Sequence, residues 1–175
     1  LFILSFLLLL SCSSVKNTQK AINTGNYESA ISLAVKKLQK NKTKKGNQPY
    51  IALLEDGFKK IIDRDLKRID YLKKDQNNEN LEKIYNSYIH LNNIQNSIQP
   101  LLPLHIVKEN RDAEFKFSNF NESIIEYKEK VSEYLYLNAK KLFLSNNKLD
   151  YRNAYDDLEY IEKIHANYKD VRNLM

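Results

Sequence analysis

The chain has 175 residues and a formal net charge of +6, with 42% hydrophobic and 29% charged residues, enough apolar content to bury the core of one domain or a short repeat array. Its 3 Gly and 3 Pro are too few for the turns of a β-sandwich or a doubly wound α/β sheet. One Cys excludes an intrachain disulfide framework and any zinc site built on several cysteines.

An apolar run comes first. Leu1 to Leu10 is broken only by Ser5, and no charge precedes Lys16. Such a run is too short to cross a bilayer, which takes about 20 apolar residues. It suits the h-region of a secretory signal. The chain begins with Leu and lacks a positive n-region, so residues are expected upstream. Leu9-Leu10-Ser11-Cys12 resembles the lipobox of bacterial lipoproteins, with an apolar residue at −3, a small residue at −1 and then the invariant Cys. The resemblance implies that residues 1–11 are a signal peptide. Leu9, Leu10 and Ser11 are then read by the signal peptidase, and the Cys12 thiol takes a diacylglyceryl group. The mature protein would begin at Cys12, held by several acyl chains where one would bind only marginally. The competing reading is a buried Cys after an ordinary signal. Ser13 and Ser14 follow, with neither an Asp nor a run of acids. The resemblance therefore implies a lipid anchor in the bacterial outer membrane, facing the periplasm.

Residues 12–175 read as one all-α domain. Asn17 to Thr24 is a short polar helix stopped by Gly25-Asn26. Tyr27 to Lys40 carries Tyr27, Ala30, Ile31, Ala34, Val35 and Leu38 on one face. Asn41 to Gln48 is a loop, and Pro49 suits the first turn of a long helix that reaches Lys74. Asp63–Lys67 and Asp70–Lys74 are i,i+4 pairs in the favourable order. After a turn at Asp75 to Asn78, a helix from Glu79 to Ser97 is expected antiparallel to its predecessor, and Pro100 and Pro103 end it. Leu104 to Phe120 is the least helical stretch. Phe115, Phe117 and Phe120 nearly alternate, so a short irregular or extended segment is expected to lie across the helices. Asn121 is read as the cap of a helix through Leu144, Ser145 to Asp150 as a loop, and Tyr151 to Ile164 as another amphipathic helix. Tyr168 to Met175 begins one more without a stop signal, so the domain is expected to continue beyond residue 175.

Gly25-Asn26-Tyr27-Glu28-Ser29-Ala30-Ile31 resembles the turn and second helix of a tetratricopeptide repeat (TPR), where Gly turns the chain, Tyr packs back and Ala lets two helices approach. Tyr151 and Ala154 repeat the Tyr-x-x-Ala spacing, and Ile164-His165-Ala166-Asn167-Tyr168 resembles the repeat's exit with Ala166 in place of Pro. The first helices lack the family's large and small pairing, and the echoes are not spaced by the 34-residue period of about one repeat. The resemblance covers residues 17–40 and 123–175. It implies stacked antiparallel helix hairpins, α-solenoid-like in plan. From Cys12 onward the chain also resembles TPR-like lipoproteins with a Gly-x-Tyr opening, a likeness that carries no activity.

No catalytic constellation stands out. His90, His105 and His165 fall on different elements, without the His-x-x-x-His spacing of a metal helix. Asp156, Asp157, Glu159 and Glu162 read as a solvated helix face, and the tyrosines as packing residues of partly wet hairpins. No Gly-rich phosphate loop and no Gly-x-Ser-x-Gly occurs. The expectation is a non-enzyme without metal or cofactor.

Charge is uneven. Residues 13–74 carry 15 Lys or Arg against 6 Asp or Glu, and residues 75–175 carry 13 against 16. Lys36, Lys37, Lys40, Lys42, Lys44 and Lys45 form a run without an acid. Export argues against nucleic acid as the partner. Beside a lipid anchor the run is expected to face anionic headgroups or lipopolysaccharide phosphates; the equal reading is that it keeps a loop soluble. The leading functional reading is a lipid-anchored, non-enzymatic scaffold whose stacked helices grip a partner protein or peptide, resembling in plan the TPR lipoproteins that help assemble outer-membrane proteins. The alternative is a helical stalk for an enzyme or carbohydrate-binding domain downstream of residue 175.

Overall fold

The chain turns at Gly25 because the helix before it ends in a residue that only glycine adopts cheaply. The computed structural model describes residues 14–145 and 147–175, and α1 occupies 14–23 of them. Gly25 has φ +79, its N–H reaches the Ile22 carbonyl at 3.1 Å, and the Asn26 N–H reaches Ala21 at 2.8 Å. These are the two hydrogen bonds of a Schellman ending. Asn26 then caps α2 (Tyr27–Lys40), its side chain accepting from the Ser29 N–H. Next come α3 (Gln48–Lys74) and α4 (Leu81–Ile98), then a hairpin of β1 (His105–Ile106) and β2 (Arg111–Asp112), paired antiparallel with His105 opposite Asp112. The helices α5 (Asn121–Leu142), α6 (Lys148–Ile164) and α7 (Val171–Leu174) follow. The fold is all-α, with this hairpin the sole pairing of strands among the described residues.

Two compact units divide the chain. The first holds the described residues to Arg68 and Leu91–Ser118; the second holds Ile69–His90 and Asn119–Met175. In the first unit Ile31, Ala34 and Leu38 of α2 pack with Ile51, Leu54, Phe58 and Ile61 of α3 and with Ile94 and Ile98 of α4. Leu104 and Ile106 close this core. Ile22, Ala30 and Leu53 tie α1, α2 and α3 together. In the second unit Tyr136 and Ala139 of α5 pack against Ala154, Leu158 and Ile161 of α6, with Val171 beside them. Asn138 bonding Asp157 and Phe143 meeting Tyr151 show that α5 and α6 run antiparallel. Lys73 at the end of α3 donates to the Tyr88 hydroxyl of α4 at 2.8 Å and sits 5.2 Å from the Tyr127 ring.

The expected helices form, with local differences. Leu104 to Phe120 contains the β-hairpin, followed by an extended stretch that lays Phe115 and Phe117 edge-on against Phe58 at 5.4 and 5.6 Å. Phe120 belongs to the second unit and packs 5.7 Å from Tyr88. Asn121 is the first helical residue rather than the cap, because the Asn119 side chain accepts its N–H at 3.0 Å in an Asx turn. The helix α6 starts at Lys148, ahead of Tyr151, because Asn147 caps it by accepting the Leu149 N–H. Asp63–Lys67 closes at 2.8 Å, whereas Asp70 and Lys74 make no such pair.

Candidate functional site: a lysine-rimmed groove in the first unit

Leu9, Leu10, Ser11 and Cys12 lie outside the described residues. Among the residues of the TPR resemblance, Ala30 and Ala154 are 1% and 0% exposed, each in the second helix of a packed pair. Tyr27 packs toward Ile22 and Leu53 and carries the Arg64 guanidinium 5.4 Å from its ring. Tyr151 is 39% exposed and meets Phe143 on the turn before it.

The Lys-rich loop is tied down. The Asn41 side chain accepts from Thr43 and Lys44 N–H groups, and Asn47 donates to the Lys37 and Asn41 carbonyls, satisfying the end of α2. Lys42 faces the protein: its Nζ donates to the Leu101 and Pro103 carbonyls at 2.9 and 3.2 Å. Lys36, Lys40, Lys44 and Lys45 are exposed, and Lys37 is half-buried.

Beside this loop runs a groove of about 630 Å³. Val15 and Gln19 of α1 line it, as do Pro49, Ala52 and Leu53 of α3. Ile106 and Val107 complete its apolar lining, and Lys45, Lys108 and Glu109 stand on its rim. A smaller hollow of about 270 Å³ shares Thr43, Gln48 and Val107 with it. Gln48 starts α3 between the two, where its Nε2 donates to the Lys42 carbonyl at 3.3 Å and its Oε1 is buried with no donor.

A second groove, of about 660 Å³, is lined largely by charged residues, with an ion pair between Glu55 and Arg111 among them. Arg111 forks onto Glu55, with both bonds at 2.7 Å, and Glu55 also accepts the Glu114 N–H. The Arg111 hydrogen bonds hold the Glu55 carboxyl below its ordinary value, against the opposing effect of burial. Asp56 and Asp63 are paired with Lys60 and Lys67. This network docks the β-hairpin on α3.

Of the acids expected to form a solvated face on α6, Asp156 and Glu159 are exposed, whereas Asp157 and Glu162 are engaged. Asp157 is raised above its ordinary value by burial, opposed by the Asn138 hydrogen bond, and Glu162 is lowered chiefly by hydrogen bonding from Arg172. His165 reaches Ser132 Oγ at 3.3 Å and Glu129 at 3.4 Å. Ser132 is 0% exposed and its hydroxyl donates to the Lys128 carbonyl, so this trio locks the end of α6 to α5 and offers no nucleophile to a substrate.

The chain matches no protein-family model, no curated protein and no solved structure. Sequence reasoning named the loop lysines but missed the groove, since Gln48, Val107 and Lys108 come from segments about which periodicity is silent. The signal that was present is Gln48 directly before the helix-starting Pro49, at the end of the lysine run.

Proposed function

We propose that the protein is a lipid-anchored, non-enzymatic scaffold of the bacterial envelope, held to the outer membrane through Cys12 and facing the periplasm, which binds a partner protein or peptide. The lysine-rimmed groove of the first unit carries the reading. It is an apolar concavity on a helical frame, with the exposed Lys45 and Lys108 on its rim. The anchor is supported by Leu9-Leu10-Ser11-Cys12 at the end of an apolar run. The TPR-like hairpin reading is supported by the two Tyr-x-x-Ala helices, each with its alanine buried against the preceding helix.

Expression of the full chain in a Gram-negative host tests both parts. With radiolabelled fatty acid, the protein should take up label and partition into detergent, and Cys12→Ser should lose both. Equal labelling of the variant removes the anchor from the reading. Photo-crosslinkers placed singly along the exposed positions of α2, α3 and α6 should give discrete adducts with another protein. Their absence at every position removes the scaffold.

A further inference from the structure

The groove of the first unit is lined by a residue that follows Cys12 by three positions. That residue is Val15, in the first turn of α1. Its side chain is half-buried against the core of the unit. Pro49, Ala52 and Leu53 line the groove from α3, and Ile106 and Val107 from the hairpin. Leu53 and Ile106 are buried, whereas Val107 is 64% exposed. The result is an aliphatic trough with exposed lysines, Lys45 and Lys108, on its rim.

The rim lysines accept a peptide acid and a fatty-acid carboxylate alike, so they do not choose the occupant. Connectivity does. Three residues span at most about 11 Å of chain even when fully extended, so a lipid on Cys12 starts within that reach of Val15. A group tethered so closely meets the groove at an effective concentration of about millimolar. A free peptide or fatty acid must instead arrive from solution and give up its translational freedom. An ester- or amide-linked acyl chain is also uncharged along its length, and the aliphatic lining is all it needs. We propose that the groove receives one acyl chain of the lipid carried by Cys12, while the other chains stay in the bilayer. This rests on the anchor of the proposed function and adds a regulation of the scaffold's groove. Held there, the chain closes the groove to a partner, and a partner that fills the groove returns the chain to the bilayer. One acyl chain binds only marginally, so the exchange is reversible.

The test uses the full chain, made in a Gram-negative host fed a palmitate that bears a photoreactive diazirine and purified into nanodiscs of phosphatidylcholine. After irradiation, peptide mapping by mass spectrometry should place adducts on the protein's own residues 49–53 and 106–107. Ala52→Trp fills the groove and should move the adducts to phosphatidylcholine, with the helical circular dichroism unchanged. A second measurement needs no bulky residue. Cys12 is the only cysteine, so Ala52→Cys gives the lipidated chain one free thiol, which is also the only thiol in the Cys12→Ser background. Its maleimide labelling should be about tenfold slower in the lipidated protein, as a groove filled about nine-tenths of the time requires. Lys108→Cys should label at the same rate in both backgrounds. Adducts confined to the bilayer lipid, or equal labelling of Ala52→Cys in both backgrounds, overturn the proposal. Slowing at both thiols overturns it as well and assigns the protection to the bilayer covering this face. Any of these results with label on Cys12 leaves the anchor standing; absence of label ends the anchor and this inference together.

Discussion

At Gly25 and Gly57 the same substitution should have opposite signs. Gly25 holds φ +79 with open space where a Cβ would stand, so its cost in Gly25→Ala is purely the left-handed backbone. The variant is expected to lose about 1 kcal/mol or slightly more. Gly57 lies inside α3 in an ordinary helical conformation, and an added Cβ would meet Ile31 Cγ1 at 3.4 Å, at the near edge of normal contact. Gly57→Ala should therefore gain about 0.5–1 kcal/mol, from lower freedom in the unfolded chain. Urea denaturation of the two variants checks both; a loss at Gly57 would mean that α2 cannot yield the few tenths of an ångström required. Gly25 was legible from the sequence because Gly-Asn ahead of a periodic face is a stop-and-cap signal. Lys42 was not: the run of lysines reads as one charged surface, and only folding brings the Leu101 and Pro103 carbonyls to one member of it.

The β-hairpin is the element whose stability should follow pH. It is held to α3 by Arg111 on Glu55, and hydrogen bonding keeps Glu55 below its ordinary value of 4.5. A carboxyl with a lowered folded pKa stabilises the fold above its unfolded pKa, and that contribution disappears as pH falls through the folded value. Acidification below about 4.5 should thus loosen the hairpin. Amide exchange at Ile106, Arg111 and Ala113 should accelerate there, and Glu55→Gln should show fast exchange already at neutral pH. A hairpin equally protected on both sides of that window would show that Phe115 and Phe117 on Phe58 hold it without the ion pair. The elements themselves were largely legible, because helical periodicity survives in 27 residues of α3 and 22 of α5. The hairpin was visible only as a failure of that periodicity. Its two-residue strands are too short to alternate, and their register depends on α3 beneath them. The groove was hidden for the same reason, since one wall comes from the hairpin turn.

Over the whole molecule, positive charge gathers toward the N-terminal end. Lys36 comes 24 positions after Cys12, and the Gly25 turn folds that length back. Val15 and Lys45 line one groove, so the basic loop stands beside the start of α1, whose first described residue, Ser14, follows Cys12 by two positions in the sequence. Placed within a Debye length of the headgroups, about 8 Å at physiological salt, each free lysine contributes up to about 1 kcal/mol of attraction to an anionic leaflet. Lys42 drops out of that sum because its ammonium already serves two carbonyls, and Lys45, itself exposed, is left unchanged in the test because altering it would also alter the groove rim. That leaves Lys36, Lys40 and Lys44 as exposed cations without a carboxylate partner among the described residues. Unlipidated Cys12→Ser protein should bind phosphatidylglycerol vesicles weakly and release them as salt rises. Changing these three lysines to Gln should weaken that binding while leaving the helical circular dichroism unchanged. Lys42→Gln alone should instead lower the melting midpoint, since it strips the Leu101 and Pro103 carbonyls of their donor, with a smaller effect on vesicle binding. If the triple variant sediments with the vesicles as fully as its parent, the loop does not face the membrane and its lysines serve solubility alone.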